Sequence, residues 1–117
     1  MGVLKGPLQF SFIVNVLGGI PPLIESLQLQ TRIMPPGSEW EVIGISKVGW
    51  KMIAAAAVMG GNVRAGLEDN FYLPNGDMAR SNGDLIERAA RIVRDVGRRP
   101  ATVEEAKKIL SLDKFAP

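Results

Sequence analysis

Three short apolar segments, rich in β-branched and aromatic residues, alternate with segments of helical periodicity, and this alternation constrains the fold most. The predicted strands are 8–16, 40–45 and 62–67. The predicted helices are 21–30, 47–58, 82–96 and 103–112. Strands that alternate with helices through short connections form parallel sheets with right-handed crossovers. The chain is therefore predicted to be an α/β protein with the order β-α-β-α-β-α-α.

Glycine, proline and capping residues set the predicted helix ends. Pro21-Pro22 fits the first helical positions, where the missing N–H has no cost, and the first helix is predicted to stop before Thr31. Ser81-Asn82 is predicted to cap the third helix. Thr102 with Glu105 three residues later forms the capping-box pattern that opens the last helix.

Three parallel strands would leave two open edges and an uncovered face, so the predicted sheet is incomplete by itself. Such a sheet suits the end of a (β/α)8 barrel, whose last strand pairs with its first. A barrel of this type takes roughly 250 residues, and the chain has 117. We therefore expect a partial (β/α)8 TIM barrel, made of three βα units and a further helix.

Composition limits the chemistry and the location. The chain has no cysteine and no histidine, so metal or acid–base chemistry would rest on carboxylates, lysine or arginine. The formal charge of +2 is too small to predict binding to nucleic acid or to a membrane surface. No apolar run is long enough to span a membrane, and the first ten residues lack the order of a signal peptide. We expect a cytoplasmic protein.

The segment 62–70 is the most informative for function. The two-residue period of a strand places Asn62, Arg64, Gly66 and Glu68 on one face, and the apolar residues between them on the other. A guanidinium and a carboxylate inside a barrel must be paired, bound to a metal or exposed to a ligand. From the residues alone, a structural Arg64–Glu68 ion pair and a catalytic site remain about equally good interpretations.

Several blocks, in the right order, resemble the β-keto acid cleavage enzyme family. They are 7–10 (PLQF), 17–21 (LGGIP), 36–40 (PGSEW), 60–70 (GGNVRAGLEDN) and 101–106 (ATVEEA). The resemblance covers nearly the whole chain and corresponds to the family's barrel from its sixth strand onward. It implies that 1–117 is a single segment, the carboxyl-terminal portion of a TIM-barrel domain.

The resemblance also implies a reaction and the residues that carry it. A β-keto acid and acetyl-CoA would give acetoacetate and a new acyl-CoA at a zinc site held by two histidines and a glutamate. Glu68 matches that zinc-binding glutamate, Asp69 the catalytic base, and Arg64 the residue that orients the substrate. The role of Asp69 requires the chain to turn after the strand. Gly18 and Gly19 are the candidates for letting a coenzyme A chain approach the backbone, although from the residues alone a simple turn is the favoured interpretation of this pair.

Two departures from the family pattern bear on activity. The zinc-binding histidine pair has no counterpart in this chain, so we expect no turnover by the chain alone. Asn62 stands where the family commonly has histidine, and we favour a role in filling a lower layer of the barrel. The leading hypothesis is an enzyme part whose active form needs the missing barrel strands, and the resemblance also implies a homo-oligomer. The alternative is a catalytically dead, truncated remnant that associates with itself. A nucleic-acid-binding module is disfavoured, because acidic residues interrupt the basic ones around Arg98-Arg99.

Overall fold

The computed structural model describes residues 4 and 6–112, which form an α/β structure with a three-stranded parallel sheet. Its elements in chain order are β1 (Gln9–Val14), α1 (Ile24–Ile33), β2 (Glu39–Gly44), α2 (Gly49–Val58), β3 (Asn62–Val63), α3 (Asn82–Asp95) and α4 (Val103–Ile109). The predicted order of strands and helices is confirmed. None of these helices combines the length and the apolar character that crossing a lipid bilayer requires.

The strands lie in the sheet in their chain order, β1-β2-β3, and both neighbouring pairs are parallel. Phe12 pairs with Val42 in the first ladder, and Glu41 pairs with Asn62 in the second. Right-handed crossovers through α1 and α2 are the usual way to connect such strands. All three carboxyl ends consequently meet at one edge of the sheet.

One face of the sheet carries the hydrophobic core. Phe12, Val14, Trp40 and Val42 are buried there, and the rings of Phe12 and Trp40 lie 5.4 Å apart. The helices contribute further buried side chains to the same cluster, namely Leu27, Trp50, Met52, Ile53, Ala56, Leu85 and Ala89. Val63, Ala65 and Leu67 pack against this cluster, which confirms that the apolar side of the 62–67 segment faces the helices.

The other face of the sheet, which we call the open face, carries the alternate side chains of the strands. No described helix covers most of it. Gln9, Ser11 and Ile13 are exposed on β1, and Glu39 and Glu41 are half-buried on β2. Only α4 reaches its amino-terminal end, where Gln9 Nε2 donates a hydrogen bond to the Leu110 carbonyl at 3.1 Å. The fold therefore has one completed layer of helices and one side without a partner layer.

Two glycines allow α2 to lie close to β2. A Cβ atom built on Gly44 would overlap the backbone of Gly49, and one built on Gly49 would overlap the Gly44 carbonyl. Gly49 is the first residue of α2, so the helix starts directly against the strand that precedes it. Any side chain at either position would push the helix away from the sheet.

The predicted boundaries of the first helix were wrong at both ends. Pro21-Pro22 is not its first turn, because Leu23 is the extended N-cap residue and the helix begins at Ile24. The helix then continues through Thr31 to Ile33 instead of stopping before it. The Thr31 hydroxyl donates to the Gln28 carbonyl at 3.0 Å, which lets a β-branched polar residue stay within the last turn.

The predicted third strand, 62–67, is also corrected, since only Asn62–Val63 pairs in the sheet. The Arg64 N–H reaches the Val42 carbonyl at 3.4 Å, and β2 itself ends at Gly44. Beyond that point the chain finds local partners, because the amides of Asp69 and Asn70 both donate to the Gly66 carbonyl at 3.0 Å. These bonds close a turn where the sequence pattern predicted continued strand.

The predicted caps of the last two helices are confirmed. Ser81 caps α3 by accepting a hydrogen bond from the Asp84 amide. Thr102 and Glu105 form a complete capping box at the start of α4. The last helix nevertheless ends at Ile109, earlier than predicted, because Leu110 is its C-cap residue and Ser111 adopts a left-handed conformation.

Candidate active site at the carboxyl ends of the strands

The turn after β3 lies at the edge where the carboxyl ends of the parallel strands meet. It spans 67–69, and its backbone is tied to the loop after β2 by a hydrogen bond from the Ser46 N–H to the Asp69 carbonyl at 2.7 Å. In barrels and open parallel sheets this edge is where loops gather the residues that bind ligands. The candidate residues Arg64, Glu68 and Asp69 all lie in or beside this turn.

Arg64 and Asp69 form a two-pronged ion pair. Arg64 Nε donates to Asp69 Oδ2 at 2.9 Å, and Nη2 donates to Oδ1 at 3.3 Å. The Asp69 side chain is only 7% exposed, whereas that of Arg64 is 40% exposed. The turn reverses the direction that strand alternation would give Asp69 and brings it to the guanidinium. The chain thus makes the turn on which the predicted role of Asp69 depends.

The neighbouring carboxylates act on the ionisation of Arg64. The hydrogen bond to Asp69, followed by the charge of Asp69, raises the pKa of Arg64 above its ordinary value. Burial lowers the pKa of Arg64 in part, and the charges of Glu68 and Glu41 raise it by smaller amounts. Arg64 therefore keeps its full positive charge at every physiological pH, and its accessible part can meet an anionic ligand.

Glu68 also contacts Arg64, but in a different environment. Its Oε2 accepts from Arg64 Nη2 at 2.9 Å, and its side chain is 83% exposed. The ion pair predicted as the structural interpretation is therefore present, although the more buried partner of Arg64 is Asp69. Sequence reasoning did not predict the Arg64–Asp69 contact, because the turn that makes it has no signal in strand periodicity.

The described residues do not by themselves make a zinc site. In the ranges 4 and 6–112, no group of three or more Asp, Glu, His or Cys side chains is placed to hold a metal ion. Catalytic zinc is bound by three protein ligands with one open position, and Glu68 offers a single carboxylate. Glu68 stays the predicted zinc ligand, and its exposed oxygen atoms leave room for other ligands.

A polar row crosses the open face one step below Arg64. Strand register aligns Ser11 with Glu41 and Glu41 with Asn62. The Ser11 hydroxyl donates to Glu41 Oε1 at 2.9 Å, and Asn62 Nδ2 donates to Glu39 Oε2 at 3.2 Å. Asn62 thus bonds to a side chain from the sheet's amino-terminal end, which agrees with its predicted role in filling a lower layer.

The two candidate glycines form a turn of their own after β1. Gly18 has a φ of +76°, which favours glycine, and the Gly19 N–H donates to the Val16 carbonyl at 2.8 Å. A Cβ atom on Gly18 would meet nothing within 4 Å, so the turn is open to solvent. This geometry explains the glycine pair as a turn, and coenzyme binding there stays a prediction.

The loop after β2 contributes contacts that sequence reasoning missed. The ammonium of Lys47 lies 4.4 Å from the centre of the Tyr72 ring. Trp50 Nε1 donates to the Tyr72 carbonyl at 2.7 Å, as does the Asn70 side-chain amide. Together these contacts join the β2–α2 loop and the first turn of α2 to the segment after the Asp69 turn.

Arg98, in the connection between α3 and α4, bonds within the fold. Its Nη1 donates to the carbonyls of Ala57 and Gly61, at 3.0 and 2.6 Å, and so caps the end of α2. Arg99 instead pairs with Glu105 on the surface. Both cations are therefore used within the fold.

Comparison with known proteins identifies the family of this chain. The family model described as beta-keto acid cleavage enzyme matches residues 1–112. The chain belongs to the beta-keto acid cleavage enzyme family. Among curated members, it is 41% identical over 113 residues to 3-keto-5-aminohexanoate cleavage enzyme of Fusobacterium nucleatum. It is 36% identical over 113 residues to the enzyme of the same name from Acetoanaerobium sticklandii. It is 31% identical over 114 residues to 3-oxoadipate:acetyl-CoA acetyltransferase of Cupriavidus necator.

The two chains differ in length in each of these matches. The alignments cover 97%, 97% and 95% of this chain but only 41%, 41% and 40% of the respective relatives. The chain therefore spans about two fifths of the length of the family members that it matches. Membership in the family is shown over this span.

Proposed function

We propose that this chain forms the carboxyl-terminal part of a (β/α)8 barrel that cleaves a β-keto acid with acetyl-CoA, giving acetoacetate and an acyl-CoA. The observation that carries the proposal is the Arg64–Asp69 pair in the turn after β3, at the carboxyl edge of the sheet. Family membership supports the class of reaction, because relatives are named as keto acid cleavage enzymes and acetyl-CoA transferases.

The shape of the sheet supports the barrel. Parallel sheets in α/β proteins are normally covered on both faces, whereas in the described residues helices complete one face and α4 alone reaches the amino-terminal end of the other. In a barrel the open face would become the interior and the free edges of β1 and β3 would pair with other strands. The polar row of Ser11, Glu41 and Asn62 would then form one interior layer, with Arg64 in the layer above it.

Arg64 and Asp69 would share the work on the substrate. The accessible part of the guanidinium would bind the carboxylate or enolate oxygen of the keto acid, since its planar fork matches such oxygens. Asp69 would act as the base, because a carboxylate oxygen has more than one acceptor position and those not used by Arg64 can accept a proton. The proton would come from the carbon between the two carbonyl groups, whose anion is delocalised over both.

Zinc would enter this proposal with Glu68 as one of its ligands. A zinc ion, when bound, polarises the keto group as a Lewis acid. One carboxylate cannot hold it, so the remaining ligands would have to come from outside the described residues. The exposed carboxylate of Glu68, beside the Arg64 guanidinium, suits that shared role.

Acetyl-CoA would approach the same edge of the sheet. Gly18 and Gly19 form the turn that follows β1 at this edge, and the space around Gly18 is open. We propose this turn as a place where the coenzyme A chain can run close to the backbone. The identity of the keto acid would depend on barrel loops beyond this chain as well.

The proposal can be tested in a chimera in which this chain replaces the matching 113 residues of the Fusobacterium nucleatum relative. We expect the chimera to bind zinc and to form acetoacetate from 3-keto-5-aminohexanoate and acetyl-CoA, and the isolated chain to do neither. Asp69→Asn in the chimera should lower kcat by about 10²–10⁴-fold, the usual contribution of a general base.

The alternative, a catalytically dead remnant, makes the opposite prediction for the same chimera. A folded chimera that binds zinc but lacks turnover would mean that this chain's own residues no longer support catalysis. Turnover by the isolated chain would contradict the argument that the zinc ligands are incomplete.

A further inference from the structure

Ser46 adopts a conformation that serine rarely takes. Its φ is +66°, in the left-handed region that glycine and asparagine favour, and it lies at the point where the chain leaves β2 toward α2. Such strained residues persist only where surrounding contacts determine them, and they are frequent at functional sites. The contacts of Ser46 show what the conformation achieves.

The left-handed turn directs the backbone of Ser46 at the candidate catalytic turn. The Ser46 N–H donates to the Asp69 carbonyl at 2.7 Å, and within the described residues no other main-chain bond joins the β2–α2 loop to the 67–69 turn. The Ser46 carbonyl accepts from the Gly49 N–H at 2.9 Å, so the same residue is anchored to the start of α2. Ser46 therefore connects a rigid helix to the backbone of Asp69.

The side chain of Ser46 plays no part in this connection. Ser46 is exposed, and no hydrogen bond from its hydroxyl is recorded within the described chain. The residues around it reinforce the connection instead, because Lys47 stacks on Tyr72 and Trp50 bonds to the Tyr72 carbonyl. The backbone conformation, and not the hydroxyl, is what this position supplies.

We infer that Ser46 is a positioning residue, whose left-handed backbone holds the Asp69 turn so that the carboxylate meets both prongs of Arg64. The inference rests on the proposed role of Asp69 and adds a residue from a second strand to the site. It predicts that position 46 tolerates loss of its hydroxyl but not loss of its conformation.

Three variants of the full chain separate conformation from side chain. Ser46→Gly removes the hydroxyl and favours the left-handed conformation. Ser46→Val disfavours that conformation strongly, because its side chain is β-branched. Ser111→Val is the matched control, since Ser111 is also left-handed, with a φ of +54°, but lies after α4.

The first readout is amide hydrogen exchange at Asp69 and Asn70, together with the NMR signal of the Arg64 Nε–H. Neither measurement requires an active enzyme. We expect Ser46→Val to speed exchange of both amides by about tenfold and to shift the Arg64 signal. Ser46→Gly should leave all three as in the unsubstituted chain, and Ser111→Val should not move the Arg64 signal.

The second readout is activity in the chimera, where Ser46→Val should lower kcat and Ser46→Gly should not. An unprotected Asp69 turn in the unsubstituted chain, or an Arg64 signal unchanged by Ser46→Val, would overturn the inference. If the NMR differences appear while the chimera lacks turnover, the positioning of Asp69 is supported and the proposed reaction is what fails.

Discussion

At the scale of single residues, the candidate site depends on a difference in burial between two carboxylates that share one guanidinium. Asp69 is 7% exposed and Glu68 is 83% exposed, although both bond to Arg64. A buried carboxylate needs its donors, whereas an exposed one is solvated by water. The two contacts of Arg64 should therefore contribute very differently to the stability of the fold.

Removal of Arg64 tests this difference. Arg64→Met leaves the Asp69 carboxylate without its donors and should lower the free energy of unfolding by about 1–2 kcal/mol. Glu68→Gln is the matched control, because it removes only an exposed ion pair, and it should change stability by less than about 0.5 kcal/mol. Urea denaturation of the three chains measures both effects. Equal losses in the two variants would contradict the assignment of Asp69 as the principal partner.

At the scale of elements, α4 is held at its start by charge. The hydrogen bond from Arg99, followed by the bond from the Thr102 amide, lowers the pKa of Glu105 to about 2 from an ordinary 4.5. The Arg99–Glu105 pair uses two donors, at 2.8 and 2.6 Å, and the capping box adds a third contact. The helix has only seven residues and no buried side chain, so these contacts are a large part of what defines it.

The lowered pKa of Glu105 makes α4 sensitive to acid. A carboxyl whose folded pKa is depressed stabilises the fold fully above its unfolded pKa and loses that effect as the pH falls toward the folded value. We expect amide exchange protection in α4 to decrease between about pH 4.5 and pH 2. Glu105→Gln should have weaker protection at neutral pH and lose little of it over this range. An unchanged pH dependence in that variant would contradict the role of Glu105.

At the scale of the whole molecule, the chain is broader than a closed domain of its length. Its radius of gyration is 14.9 Å, and its extents are 45 × 33 × 26 Å. A compact domain of this length should have a radius of about 13 Å. The radius is larger because helices cover one face of the sheet and the open face has almost no partner layer.

The free edge of β1 allows a test of the barrel. Residues of a parallel strand bond alternately to the two neighbouring strands, and the Val14 carbonyl bonds toward the β2 side. The amides of Ser11 and Ile13 should therefore point to the free edge and exchange quickly in the isolated chain. In the chimera they should become protected, while the Phe12 amide stays protected in both. Fast exchange at Ser11 and Ile13 in a folded chimera would exclude a strand paired with β1.

The sequence by itself determined the order of elements, the apolar face of the segment 62–67 and the family. Period-two and period-3.6 patterns set which side chains are buried, and the caps at Ser81 and Thr102 are local contacts between residues three positions apart. For the same reason the apolar side of 62–67 was correctly assigned to the helices. Arg64, Glu68 and Asp69 were predicted as site residues from the resemblance of the segment 60–70 to the family.

The tertiary structure decided where β3 ends and how those three residues meet. β3 pairs with β2 only as far as Val63, although β2 continues to Gly44. The following turn is held instead by bonds from the Asp69 and Asn70 amides to the Gly66 carbonyl and from the Ser46 N–H to the Asp69 carbonyl. The bond between Ser46 and Asp69 joins residues that are distant in sequence. It also depends on a left-handed backbone at Ser46, which the residue type does not favour. A sequence pattern indicates which face of an element is apolar. It does not indicate which distant carbonyl a backbone N–H will bond to in the folded chain.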